Sequence, residues 1–465
     1  MPRCAKVRVA GWADWSDDMT QSPLFPLPEP RALDAVSPTA PEHARVLRPK
    51  RNQLAWMPRD LDAALAPDHA ARAIWDFLNQ LDLSAFYGAI KAVLDGPGRP
   101  TTDPRVLLAL WLLATTEGIG SARQLARLCE EHDAYRWLCG GVPINYHMLA
   151  DFRVAQRAAL DDLLSQIVAS LMAAGAVTLE RVAQDGMRVR ASAGASSFRR
   201  KDTLDACLEE ARAQVARLVQ EREEPDPRGV SARQQAARER AARERVERVE
   251  RALRYLPDVQ ARKETQQQRY PKAKREHVTA ARTSTTDPEA RVMKMPDGGF
   301  RPAYNVQFAT DGAHGVIVGV AVTSAGTDAG QAVPVVDQIA RRTGRQPEDY
   351  LMDGGFAARD DITRLEERGV TVYAPVRVPR NKQPEERYAT RWGDSQEVAV
   401  WRQRMASDEA KAVYRQRGAI AEWTNAQVRQ HGLSQFAVRG LANVTTVTLL
   451  LAVAHNMLRW ISLST

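Results

Sequence analysis

Only 4 cysteines occur in 465 residues. Cys4, Cys129, Cys139 and Cys207 are widely spaced, with no C-x2-C pair among them. That usage argues against a disulfide scaffold or a zinc finger and fits a reducing cytoplasm. No charged leader followed by an apolar run and a small-residue cleavage site opens the chain, so no secretory signal is expected. Long apolar runs are scarce too. The longest, within 441–460, is broken by His455, Asn456 and Arg459 before it reaches the roughly 18–20 apolar residues that span a bilayer. A buried core helix is the expectation there, with no membrane contact.

Positive charge is what the chain has in excess. Its 65 Lys and Arg outnumber its 57 Asp and Glu, giving +8 and a pI near 9.4. An acidic polymer, nucleic acid first, is the partner such a balance favours, although many soluble proteins are mildly basic. At this length two or three domains are expected.

Residues 1–52 read as a disordered leader, because Pro23, Pro26, Pro28, Pro30, Pro38, Pro41 and Pro49 leave no apolar period intact. Residues 53–176 read as a helical DNA-binding domain. Ala70, Ile74, Phe77, Leu78 and Leu81 form one stripe, with Asp68 as the expected cap. Asp103-Pro104 opens a second helix. Short helices joined by Gly turns and carrying Arg123, Arg127 and Arg136 suit a helix-turn-helix arrangement, and an ordinary bundle fits equally well.

From 177 the period changes to two. In 181–190, Ala183, Asp185, Met187 and Val189 share one face, and Gln184, Arg188 and Arg190 the other. Asp185 therefore lies on an apolar face, where a carboxylate costs several kcal/mol unless paired or metal-bound. Backbone amides, or a bulge at Gly186 turning it outward, would also account for it. Residues 202–276 interrupt the pattern with two heptad-like seams, Leu204 to Leu218 and Ala242 to Leu256, around a Pro-Gly break. This is a helical-hairpin insertion. Its arginines, with 269–275 adding more, would grip phosphates or be salt-bridged to one another. Strands resume at 303 as a hairpin, followed by a helix over 329–343. A strand over 350–353 then ends in Asp353, with a helix (359–368) and a strand (370–374) after it. Sites in such β-α-β sheets form at the carboxyl ends of strands; alternatively Asp353 merely opens the Gly354-Gly355 turn. Residues 375–407 read as a polar connection. The helix after it places Glu422, Asn425 and Arg429 on one side.

Two strand carboxylates and one helix carboxylate, Asp185, Asp353 and Glu422, are able to hold divalent cations if they converge. The stretches Asp185-Gly-Met-Arg-Val-Arg-Ala, Thr286-Asp-Pro-Glu-Ala-Arg, Tyr304-Asn-Val-Gln-Phe-Ala-Thr-Asp, Asp353-Gly-Gly-Phe and Tyr414-x2-Arg417-x4-Glu422-x6-Arg429 together resemble the DDE transposases of bacterial insertion sequences. The group resembled has an RNase H-like catalytic domain and a Tyr-Arg-Glu-Lys signature helix. The likeness spans about 58–460. It implies an α/β fold: an RNase H-like mixed sheet flanked by helices (177–465), with an all-α N-terminal domain and the insertion at 202–276. It also implies Asp185, Asp353 and Glu422 as catalytic and metal-holding residues for two Mg²⁺ or Mn²⁺ ions. Tyr414, Arg417 and Arg429 would be the supporting signature residues; Asn425, Arg188 and Arg190 are further candidates for contact with DNA. The activity implied is cutting and joining DNA at terminal inverted repeats, by hydrolysis and then 3′-OH transfer into target DNA. A homodimer or larger assembly on DNA, in the cytoplasm at the nucleoid, goes with it. A non-catalytic DNA-binding descendant and a nuclease without strand transfer are the alternatives. Two departures stand out: Arg429 replaces the usual Lys, and Arg417 lies about 140° around an ideal helix from Glu422.

Overall fold

The computed structural model describes residues 60–88, 90, 101–223, 231–268, 280–378 and 384–464; the leader read at 1–52 lies outside them. The N-terminal region folds as α1 (Ala70–Asn79), α2 (Ser84–Tyr87), α3 (Pro104–Thr116), α4 (Ala122–Glu131), α5 (Asp133–Cys139), α6 (Tyr146–Ala155) and α7 (Arg157–Ala173). The caps explain the starts. Asp103 caps α3 with Pro104 at its first position, Ser121 caps α4 and Asn145 caps α6. At α1 the cap is His69 rather than the expected Asp68: its Nδ1 accepts from the Ala71 amide at 3.0 Å. The apolar run of α3 is buried throughout 106–114, with α1, α5 and α6 packed around it.

The sheet is built on β1 (Arg181–Arg190). On one side β1 pairs antiparallel with β5 (Phe300–Asp311); on the other it pairs parallel with β7 (Asp349–Met352), which is itself parallel to β8 (Thr371–Tyr373). Beyond β5 lie β6 (Ile317–Thr323) and β4 (Arg291–Lys294), both antiparallel to it. Helix α10 (Ala332–Thr343) follows β6, and α11 (Arg359–Glu366) links β7 to β8, giving the expected β-α-β unit. This is an RNase H-like mixed sheet with helices. Polar groups pair inside it: Gln184 is fully buried, donating to Gln307 and accepting from the Tyr350 hydroxyl.

The final helix, α15 (Leu441–Ser464), packs on α7, α3 and α6 and on β6. It is long and apolar enough to cross a membrane, but is largely buried within the fold, as a core helix should be. Through it the helical region and the sheet share one hydrophobic core. Asp287 and Glu289, from the Thr286-Asp-Pro-Glu stretch, fasten its start. Asp287 accepts from the Tyr304 hydroxyl and the Gly440 amide, and Glu289 from the Leu441 amide. A second tie is ionic. Arg342 of α10, 2% exposed, pairs with Asp161 of α7 and donates to the Val318 carbonyl. Asp161→Ala would strand that guanidinium. Breaking a fully buried pair costs 3–5 kcal/mol, and Asp161 is half exposed, so a loss of about 2 kcal/mol is expected in urea unfolding.

The insertion forms two antiparallel helices, α8 (Lys201–Glu223) and α9 (Ala232–Gln268), joined along Leu204, Leu208, Val249 and Ala252. Ion pairs cross between them: Arg212 with Glu250, Arg245 with Glu210, Arg222 with Glu239. Many of the arm's arginines are thus spent on its own carboxylates, which favours the salt-bridged reading; 269–275 lie outside the described residues. A short antiparallel pair, β2 (Phe198–Arg199) with β3 (Thr283–Ser284), closes the base. The connection expected at 375–407 contains a helix, α12 (Gln396–Arg404). Its arginines are internal: Arg402 pairs with the buried Asp394, and Arg404 with Glu366 of α11.

Candidate active site

The parallel pairing of β1 with β7 runs Val182 with Tyr350, Ala183 with Leu351 and Gln184 with Met352. One step further along both chains stand Asp185 and Asp353. In a parallel pair equal steps keep side chains on the same face of neighbouring strands, about 4.8 Å apart. Two carboxylates therefore meet where β7 ends. Gly186, directly after Asp185, and Gly355, two residues after Asp353, are glycines for a steric reason. A Cβ on Gly186 would lie 2.7 Å from Asp328 Oδ1, and one on Gly355 would lie 2.8 Å from Asp353 Oδ1 and 3.3 Å from Asp328 Oδ2.

Asp328 was not singled out in the sequence. Its carboxylate is held by both Arg188 nitrogens (3.1 Å each), by Asn305 (2.6 Å) and by Gln307 (3.0 Å). Arg188, considered above for DNA contact, thus turns its guanidinium to Asp328 with 16% of its side chain exposed. The pinned carboxylate has nowhere to retreat. Gly186→Ala is expected to destabilise the fold by about 1–3 kcal/mol through overpacking, read as a lower urea midpoint at unchanged slope.

The third carboxylate arrives on the signature helix, which is not a regular one. Helix α13 (Asp408–Arg417) continues through a π turn, Gly418–Glu422, into α14 (Trp423–Gln430). A π turn closes i to i+5 rather than i to i+4, so Arg417 and Glu422, five apart, come onto one side. This corrects the 140° offset of an ideal helix. The Arg417 Nη2 donates to Glu422 Oε1 at 3.3 Å, while its Nη1 lies 3.8 Å from Asp185 Oδ2. One guanidinium spans both acids. Asn425, one turn on, donates to Asp185 Oδ2 at 2.8 Å. Tyr414 is half-buried beside Arg417, and burial pushes its phenol above the ordinary range against the pull of that cation. Arg429 and Arg190 are exposed. Trp423 faces away, its ring against Gly315 and edge-on to His455.

Burial and clustered acids dominate the electrostatics of the site. Burial raises the pKa of Asp185 most; Arg417 and the Gly186 amide oppose the shift, and Asp353 and Asp328 add to it. Arg417 Nη1 and Asn425 Oδ1 are buried and make no hydrogen bond. Among the described residues no three His, Cys, Asp or Glu side chains stand close enough to hold a metal ion as arranged; the Arg417 guanidinium bridges Asp185 and Glu422. Carboxylate oxygens, with the unpartnered Asn425 Oδ1 beside them, are hard donors of the kind that suits a divalent cation.

A mixed sheet of this order, with acids at the ends of parallel strands, defines an RNase H-like domain behind an all-α N-terminal region. Residues 59–155 match the family model described as Transposase domain (DUF772), and 258–457 match Transposase DDE domain. The chain belongs to the DDE transposases of insertion-sequence type. That family acts on DNA and uses divalent metal ions. No curated protein matches the chain, and no solved structure does. Asp353 and Glu422 fall within the matched DDE stretch, whereas Asp185 precedes it; its place beside Asp353 rests on strand register alone.

Proposed function

We propose that Asp185, Asp353 and Glu422 are the catalytic set of a transposase that cuts DNA at its element's ends and joins those ends to a target. The observation that carries this reading is the shared register of Asp185 and Asp353, with one guanidinium linking Asp185 to Glu422. Bound at these carboxylates, two Mg²⁺ or Mn²⁺ ions would activate the attacking oxygen and steady the leaving one. In the first step water attacks a phosphorus at the element's end, and the P–O3′ bond breaks to leave a free 3′-OH. In the second that hydroxyl attacks a target phosphodiester, so one P–O bond forms as another breaks and no outside energy source is needed. Arg417 is the resident counter-charge of Asp185 and Glu422, a place that bound cations would take over. Arg429 and Arg190, both solvent-facing, are suited to backbone phosphates. Asn425 orients Asp185, and Asp328 braces the two Asp-Gly segments from behind. Two ends brought together imply at least two chains on the DNA, acting at the nucleoid.

The assay is a supercoiled target incubated with terminal-repeat duplexes, the full chain and Mg²⁺. Joined products are expected. Cleavage without joining would indicate a nuclease, and binding without cleavage a repurposed DNA-binding protein.

A further inference from the structure

Between the helical region and the far end of α14 lies a half-open cavity of about 60 Å³, lined in part by Trp111, Gly118, Gly120, Arg153, His431 and Leu450. At ~10–15 Å³ per water-sized sphere it has room for roughly four to six such spheres, about the five heavy atoms of phosphate. Arg153 is the unexpected lining residue. It is 8% exposed, and its guanidinium lies 4.5 Å from the centroid of the Trp111 ring. Its Nη1 donates to the Gly120 carbonyl, but its buried Nε has no acceptor. No carboxylate among the described residues pairs with it. Burial lowers its pKa to about 10, which still leaves it a cation at neutral pH. A buried cation without a counter-charge is disfavoured, so a missing anion is the natural complement.

His431 adds a second, independent sign. Its Nδ1 lies 3.0 Å from the Thr116 carbonyl, which only accepts, so Nδ1 carries the hydrogen and Nε2 of the neutral ring offers a lone pair. That Nε2 is buried and unpartnered. We propose that this cavity binds a tetrahedral oxyanion of the hydrogen-phosphate type, its negative oxygens on Arg153 and its O–H on His431 Nε2. Free phosphate and a DNA phosphate share the oxyanion; only the former brings the O–H.

Such a ligand would join the two halves of the chain at a point where their backbones already touch. A Cβ on Gly432 would lie 2.9 Å from the Gly118 oxygen, and Gly432 has φ +87°. His431 is the C-cap of α14 and Glu422 its N-cap, so the anion would brace the helix whose other end holds the third acid. The proposal is independent of the carboxylate assignment, because its readout needs neither metal nor cleavage.

The test titrates the full chain with inorganic phosphate by calorimetry, without DNA or divalent ions. One saturable site per chain is expected, lost in Arg153→Met and weakened about tenfold or more in Arg153→Lys, which keeps the charge but not the planar fork. Should Arg153→Met fail to fold, the Arg153→Lys comparison carries the result. A second arm measures the salt dependence of terminal-repeat binding. If the natural oxyanion is a DNA phosphate, Arg153→Met lowers that slope by about 1 and free phosphate competes. No saturable phosphate binding by the unmodified chain, with identical salt slopes in the two proteins, overturns the proposal. So does phosphate binding that survives Arg153→Met unchanged.

Discussion

Asp185→Asn, Asp353→Asn and Glu422→Gln are each expected to cut terminal-repeat cleavage by at least about a thousandfold while leaving binding of those ends within a few fold. The size follows from the several kcal/mol of charge stabilisation that metal-held carboxylates supply, since about 4 kcal/mol is three decades in rate. The three should differ in stability. Burial raises the pKa of Asp185 in the folded chain, so between its unfolded and folded values the native state binds more protons. Its contribution to stability is then fully present below the unfolded value and declines as pH rises toward the folded one. At neutral pH, without metal, Asp185→Asn is therefore expected to melt no lower than the unmodified chain, and possible gains are limited by the loss of Arg417's partner. Glu422, two-thirds exposed, should be nearly neutral. A variant that loses activity while keeping or gaining thermal stability marks a residue retained for chemistry rather than for folding. Gel-shift, cleavage and melting measurements on the same preparations separate the two effects.

Inserting one alanine after Ala419 is expected to be almost as damaging, although the side chain of Ala419 is exposed. The π turn holds Arg417 and Glu422, five residues apart, on one side. One more residue puts them six apart, and at about 100° per residue of a regular helix they would stand about 120° apart around the axis. Misplacing a catalytic group by about 1 Å costs on the order of a hundredfold, and cleavage should fall at least that far. Ala419→Ser, which keeps the count, should retain activity. Full activity in the insertion would mean that the alignment of Arg417 with Glu422 is incidental.

The two strand acids could be read from the chain because their placement depends on local rules. Period-two alternation put Asp185 on an inner face, and a β-α-β unit put Asp353 at a strand end; parallel pairing then sets them side by side. Glu422 was legible as part of a helix, but its partner was not. An even 3.6-residue period separates Arg417 from Glu422, and nothing local announces a π turn at Gly418. Asp328 was invisible because its importance comes from cross-sheet contacts with Arg188, Asn305 and Gln307; its trace in the chain is Gly186 and Gly355, where a Cβ would crowd it. Helix α12 escaped for a related reason: Arg402 and Arg404 look like surface cations until Asp394 and Glu366, their buried partners, are brought to them. His69 displaced Asp68 as a cap because an imidazole Nδ1 at that position accepts the same amide.

The central claim, that acids from β1, β7 and the signature helix form one metal-holding site, is tested most directly by anomalous diffraction from crystals of the full chain soaked in Mn²⁺. The expected result is a manganese peak within coordination distance of both Asp185 and Asp353, with Glu422 drawn toward it and Arg417 displaced from Glu422. Manganese bound elsewhere, with Arg417 still spanning Asp185 and Glu422, would contradict it.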